Sequence, residues 1–137
     1  MKLFEYIYYR ITNYYRQFKH GEWEGYFLMG IIVVSILQFF NLFVILAVLS
    51  LFNEYVRLLL VTTKYGNNRI AFLLIISFLL FINYVLYHKL TTFEKLASDW
   101  KSRTRREIRH YNLYFYIYLI VSLSLLIITS KIILLKL

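Results

Sequence analysis

The sequence predicts an all-α integral membrane fold on three grounds: three long apolar runs, the basic segments alternating with them, and the absence of proline. The runs are Tyr26–Phe52, Ile70–Tyr87 and Leu113–Leu135. A hydrocarbon core about 30 Å thick takes about 20 apolar residues of helix, and about 17 is the lower limit. Hydrophobic residues make up 61% of the 137 and charged residues 17%, against about 45–50% and about 25% in an average soluble domain. Mean hydropathy is +0.60. A soluble domain of this size buries only about two-thirds of its unfolded surface, too little to hide three uninterrupted apolar helices. Without proline the usual cause of sharp kinks is missing, so straight spans are expected and broken helices at the membrane midplane are not.

The first element, residues 1–24, reads as an amphipathic interfacial helix. Leu3, Phe4, Ile7, Tyr8, Ile11, Tyr14, Tyr15 and Phe18 recur at helical spacing, with Lys2, Arg10, Asn13, Arg16 and Gln17 on the other side. A Tyr-rich stripe opposite basic residues suits the headgroup boundary. No apolar core ending in small residues opens the chain, so no cleavable signal is expected and the first span acts as the insertion signal.

Residues 25–53 form the first span. Division at Asn41 would leave two barely sufficient halves with no glycine or proline between them. Residues 70–88 form the second span and 113–135 the third. Between them, residues 91–111 read as a basic cytoplasmic helix. Thr91-Thr92-Phe93-Glu94 fits a capping box, and Phe93, Leu96, Ala97, Trp100, Ile108 and Tyr111 form a loose apolar stripe.

Charge sets the expected orientation. Three spans put Lys2, Arg10, Arg16 and Lys19 on the same side as Lys89, Lys95, Lys101, Arg103, Arg105, Arg106 and Arg109. Together they outnumber Arg57, Lys64, Arg69, Lys131 and Lys136 on the other side. The positive-inside rule then predicts a cytoplasmic N-terminus and an outside C-terminus. Every Tyr except Tyr55 and Tyr65, and both Trp23 and Trp100, fall at or near the expected inner interface, where a ring with one wet end is favoured.

Polar residues within the spans are the first candidate site. At a rise of about 1.5 Å per residue, Gln38 lies about 18 Å into the first span, and Ser77, Ser122 and Ser124 lie at about 13–17 Å. With Asn41 they predict a polar seam, which either packs the helices or lines a pore in an oligomer. No Asp or Glu lies deep in a span, which argues against a proton relay. Lys131 can snorkel to the outer headgroups, and Glu54 with Arg57 reads as a local pair. Arg103, Arg105, Arg106 and Arg109, with Trp100 and Trp23, form the second candidate set, for anionic lipid or an acidic partner. Nucleic acid is the least favoured of the three partners considered.

Catalytic signatures are weak. Arg105–His110 has the R-x4-H spacing resembling HEPN-type ribonucleases, Glu107-x-x-His110 matches half of a di-iron motif, and Ser98-x-x-Lys101 matches a Ser–Lys fragment. All three crowd into one basic segment without companion motifs, as chance matches in biased composition do. His20, His88 and His110 share the inner side, where solvated histidine is the simpler reading. With no cysteine there is no disulfide or thiolate site. Neither a metal nor a cofactor is expected.

Phe4-Glu5-Tyr6-Ile7-Tyr8-Tyr9-Arg10 and Ser35-Ile36-Leu37-Gln38-Phe39-Phe40-Asn41 resemble short uncharacterised bacterial membrane proteins, which begin with a Y-Y-R helix and carry L-Q-x-x-N in the first span. The resemblance covers about the first third of the chain and implies a bacterial inner-membrane protein. The expected role is a non-catalytic oligomerising or accessory subunit of a membrane complex. The alternatives are an oligomeric pore or membrane-perturbing effector and, last, an interfacial enzyme.

Overall fold

The computed structural model describes residues 2–18, 25–50, 52–56, 58 and 69–135, with the side chains of 69, 71 and 132–135 left aside. Its main helices are α1 (Lys2–Phe18), α2 (Tyr26–Leu49), α3 (Arg69–Tyr84), α4 (Phe93–Lys101) and α5 (Arg105–Leu135). Helix α3 continues into a π-helical run, Val85–Leu90. Three helices are long and apolar enough to cross a membrane: Tyr26–Leu49, Phe72–Leu90 and Arg105–Lys131. No strand occurs among the described residues.

Helix α2 is the centre of the bundle. Antiparallel α3 packs along it, with Phe27 near His88 at one end and Phe39 near Phe72 at the other. Helices α1 and α5 pack on α2 as well, and α1 also meets α4 and α5. The largest interface is α1 on α2. Gly30 makes it possible. A Cβ there would strike the Oγ1 of Thr12 and come within 2.7 Å of Tyr8 Cδ2, so only a bare α-carbon admits α1 this closely.

The core gathers where α2 and α5 begin and α3 ends. Phe4, Tyr6, Ile7 and Tyr8 of α1 join Ile31, Val34 and Leu37 of α2, Tyr87, Phe93, Leu96 and Trp100, and Phe115 of α5. Toward the other end, Leu73, Leu74 and Phe78 of α3 and Leu123, Ile127 and Ile128 of α5 face outward. Helices apolar on their outer faces are those that lie in hydrocarbon, where a side chain need not find protein to leave water.

Four details differ from the sequence expectation. First, α1 ends at Phe18, and residues 19–24 lie outside the described set. Only part of its apolar stripe is covered: Ile7 and Tyr8 are fully buried, while Tyr14 and Phe18 stay exposed. The buried face turns instead through Tyr6 and Thr12, because α2 and α5 approach from that side.

Second, residues 91–111 do not form one helix. Helix α4 stops at Lys101, and residues 105–111 are the opening turns of α5. Third, the expected capping box at Thr91 is absent: Thr92 is the N-cap of α4 and makes no side-chain cap bond. The reciprocal pair forms one motif later, at Thr104-Arg105-Arg106-Glu107. The Thr104 amide donates to Glu107 Oε2 at 3.0 Å, and the Glu107 amide donates to Thr104 Oγ1 at 3.4 Å. Each side chain satisfies an amide the helix cannot. Fourth, proline-free α3 still departs from α-geometry, since its last turns wind as a π-helix closed by Thr91 N donating to Leu86 O at 2.8 Å.

Candidate functional site

Polar residues of α2 bond to neighbours on two flanks. On the α3 flank, Asn83 is fully buried, and its amide donates to Gln38 Oε1 at 2.7 Å and to Ser35 Oγ at 2.9 Å. On the α5 flank, Asn41 Nδ2 donates to the Tyr118 hydroxyl at 2.5 Å, and Ser122 Oγ donates to Asn41 Oδ1 at 3.4 Å. Gln38, Asn41 and Ser122 therefore each bond across a helix interface. Ser77 and Ser124 join neither group and sit exposed on the outer faces of α3 and α5. Helical rotation explains the split. Six residues turn a helix by about 240° and two by about 200°, so Ser77 lies well round from Asn83, and Ser124 from Ser122. Each such bond is worth about 0.6 kcal/mol in a membrane.

Asn83, Ser35 and Tyr118 were not among the sequence candidates. Asn83 was legible as the sole amide side chain of the second apolar run. Equal depth drew attention to Ser77 instead, and depth says nothing about which face a residue occupies.

The aromatic layer lies around α1 and α4. Tyr6, Trp100 and Tyr111 meet with ring centroids 4.8–5.6 Å apart. Arg103 lies 4.3 Å from the Trp100 ring centre and 5.7 Å from that of Tyr111, a guanidinium on electron-rich faces. Arg10 donates to Asn112 Oδ1 at 2.5 Å and to the Tyr116 hydroxyl at 3.0 Å, tying α1 to α5. Tyr6 donates to the same Asn112 oxygen at 2.5 Å. Burial raises the hydroxyl pKa of Tyr6 above its ordinary value and pushes that of Tyr8 up to about 12.

Arg105, Arg106 and Arg109 behave differently from Arg103. They are exposed and together line a cavity of about 260 Å³. Their spacing sets them on the first turn of α5, anchored by the Thr104–Glu107 cap. The basic set thus divides into one arginine held on aromatic rings and three that project from a helix start.

Trp23, His20 and Arg57 lie outside the described residues. His88 stacks on Phe27 at 4.4 Å, and His110 is exposed on α5. Among the described residues, no group of three or more His, Cys, Asp or Glu could hold a metal ion. Glu107, which falls in two of the weak catalytic matches' segment, serves the helix cap. No protein-family model matches this chain, and no curated protein or solved structure matches it either.

Proposed function

We propose that this chain is a non-catalytic membrane subunit that presents a basic end to anionic headgroups and to other membrane chains. The observation that carries this reading is the cavity formed by Arg105, Arg106 and Arg109. Three exposed guanidiniums on one capped helix start attract anionic phosphates by about 1 kcal/mol each near a membrane surface. The seam supports the same reading over a pore, because Gln38 and Asn41 find partners inside the chain rather than facing a lumen.

The setting is the inner membrane of a bacterium, with the N-terminus and arginine cavity cytoplasmic and the C-terminus outside, as the basic residues favour. The α1 helix then lies at the inner headgroup layer with Tyr14 and Phe18 toward lipid. Because the chain has no cysteine, single cysteines placed at the two ends report sidedness directly.

Native mass spectrometry of protein extracted from its own membrane tests the role. Stoichiometric association with itself or with other membrane chains, reduced by Arg105→Gln, Arg106→Gln and Arg109→Gln together, is expected. A bare monomer in both forms overturns it. Membrane depolarisation by the wild type but not by Gln38→Leu would replace the subunit reading with the pore.

A further inference from the structure

A second cavity, of about 450 Å³, opens at the same end of the bundle, and its chemistry is the opposite of the arginine cavity's. Tyr8, Tyr26, Phe27, Tyr87, His88, Thr92, Phe93 and Glu94 line it, so it is walled by five phenyl or phenol rings and one imidazole. Tyr8 stacks on Tyr87 at 4.5 Å, and Phe27 stacks on His88 at 4.4 Å. Neither Lys nor Arg lines it, and its one carboxylate is Glu94.

We propose that this cleft binds an alkylammonium group, the cationic end of an aminolipid headgroup or of a free organic amine. Three features of the page converge on that ligand. Ring faces carry negative potential and draw cations within about 6 Å. The same rings already do so here: Arg16 lies 5.8 Å from the Tyr26 ring centre and 5.4 Å from that of Phe93. The hydroxyls of Tyr8, Tyr26, Tyr87 and Thr92, with the Glu94 carboxylate, supply acceptors for ammonium protons.

Size and construction agree with this chemistry. The volume falls in the range of about 300–1,000 Å³ usual for small-ligand sites. Tyr87 and His88 reach the cleft from the π-helical run Val85–Leu90, and π-turns inside α-helices recur at functional sites. The inference is independent of the subunit reading, because it uses none of the arginines of α5.

The full chain is reconstituted in vesicles of equal phosphatidylethanolamine and phosphatidylglycerol with matched acyl chains, then released for native mass spectrometry. Roughly threefold or greater enrichment of bound phosphatidylethanolamine is expected, abolished by Glu94→Gln and unaffected by Arg105→Gln. Glu94 is exposed, so its replacement leaves the fold intact. Added free ethanolamine displacing the lipid identifies a small amine as a ligand of the site, and no displacement identifies the lipid headgroup. Equal retention of the two lipids, or enrichment unchanged by Glu94→Gln, overturns the proposal. Enrichment of phosphatidylglycerol lost with Arg105→Gln would overturn it while leaving the arginine cavity's role standing.

Discussion

The same residue types do opposite things in the two halves of the bundle. Near the tyrosine-rich end, Ser35, Gln38, Asn41, Asn83 and Ser122 reach across helix interfaces. In the far half, Ser50 donates to its own helix at Ala47 O (2.6 Å), Thr129 to Leu125 O (2.7 Å) and Ser130 to Leu126 O (2.7 Å). Back-bonding of this kind satisfies a hydroxyl in hydrocarbon without needing a neighbour. The polar residues of the first half join helices, and those of the second are merely tolerated. Apolar burial follows the same division, since α1 and α4 fill the first half with rings and lipid-facing residues dominate the second.

Asn83→Asp breaks the joined half most severely. A charge placed in a span costs about 2.5–3.5 kcal/mol, and the aspartate can no longer donate to Gln38 or Ser35. Loss of the folded protein in detergent melts is expected, whereas Thr129→Ala melts like the wild type.

Gly30→Leu comes next. The added side chain meets Tyr8 and Thr12, and overpacking of this sort costs about 1–3 kcal/mol. Release of α1 should appear as faster proteolysis within residues 2–18, with the three spans still protected.

These first two positions also show what the sequence could reveal. Run length was enough to find the three long helices, because hydrocarbon thickness is a one-dimensional constraint. Pairing across the bundle needs rotation and register as well, and for that reason Asn83 escaped while Ser77 and Ser124 were included. The two T-x-x-E matches, at Thr91 and Thr104, are equivalent as patterns. Only tertiary placement makes the second one a cap, by ending α4 at Lys101 and starting α5 at Arg105. Gly30 was invisible for the same reason, since its neighbours are twenty residues away in sequence or nearly so.

Asn41→Leu sharpens the comparison at smaller scale. It removes the bonds to Tyr118 and Ser122 on one flank, and a loss of about 1 kcal/mol is expected in equilibrium unfolding. Ser130→Ala, by contrast, should change nothing measurable, because its partner is its own backbone.

The smallest effect concerns alkaline pH. Folding raises the Tyr8 hydroxyl from 10.0 to about 12, mainly by burial. The native state holds that proton where the unfolded chain releases it. The stability linked to Tyr8 is therefore intact below pH 10 and declines as pH rises from about 10 to about 12. Melts across that window should fall more steeply for the wild type than for Tyr8→Phe.

The π-helical run also fixes the angular phase of everything that follows it. A π-turn accommodates one residue more than the α-helical ladder would hold, so it acts as an absorbed insertion. Deleting one residue between Val85 and Leu90 would let the ladder revert to i−4 spacing while leaving the apolar length near 18 residues, still enough to span. The chain leaving the helix would then emerge about 100° round the axis. Phe93 and Trp100 would lose their alignment with α1, so a single codon sets the angle at which the aromatic lid meets the bundle.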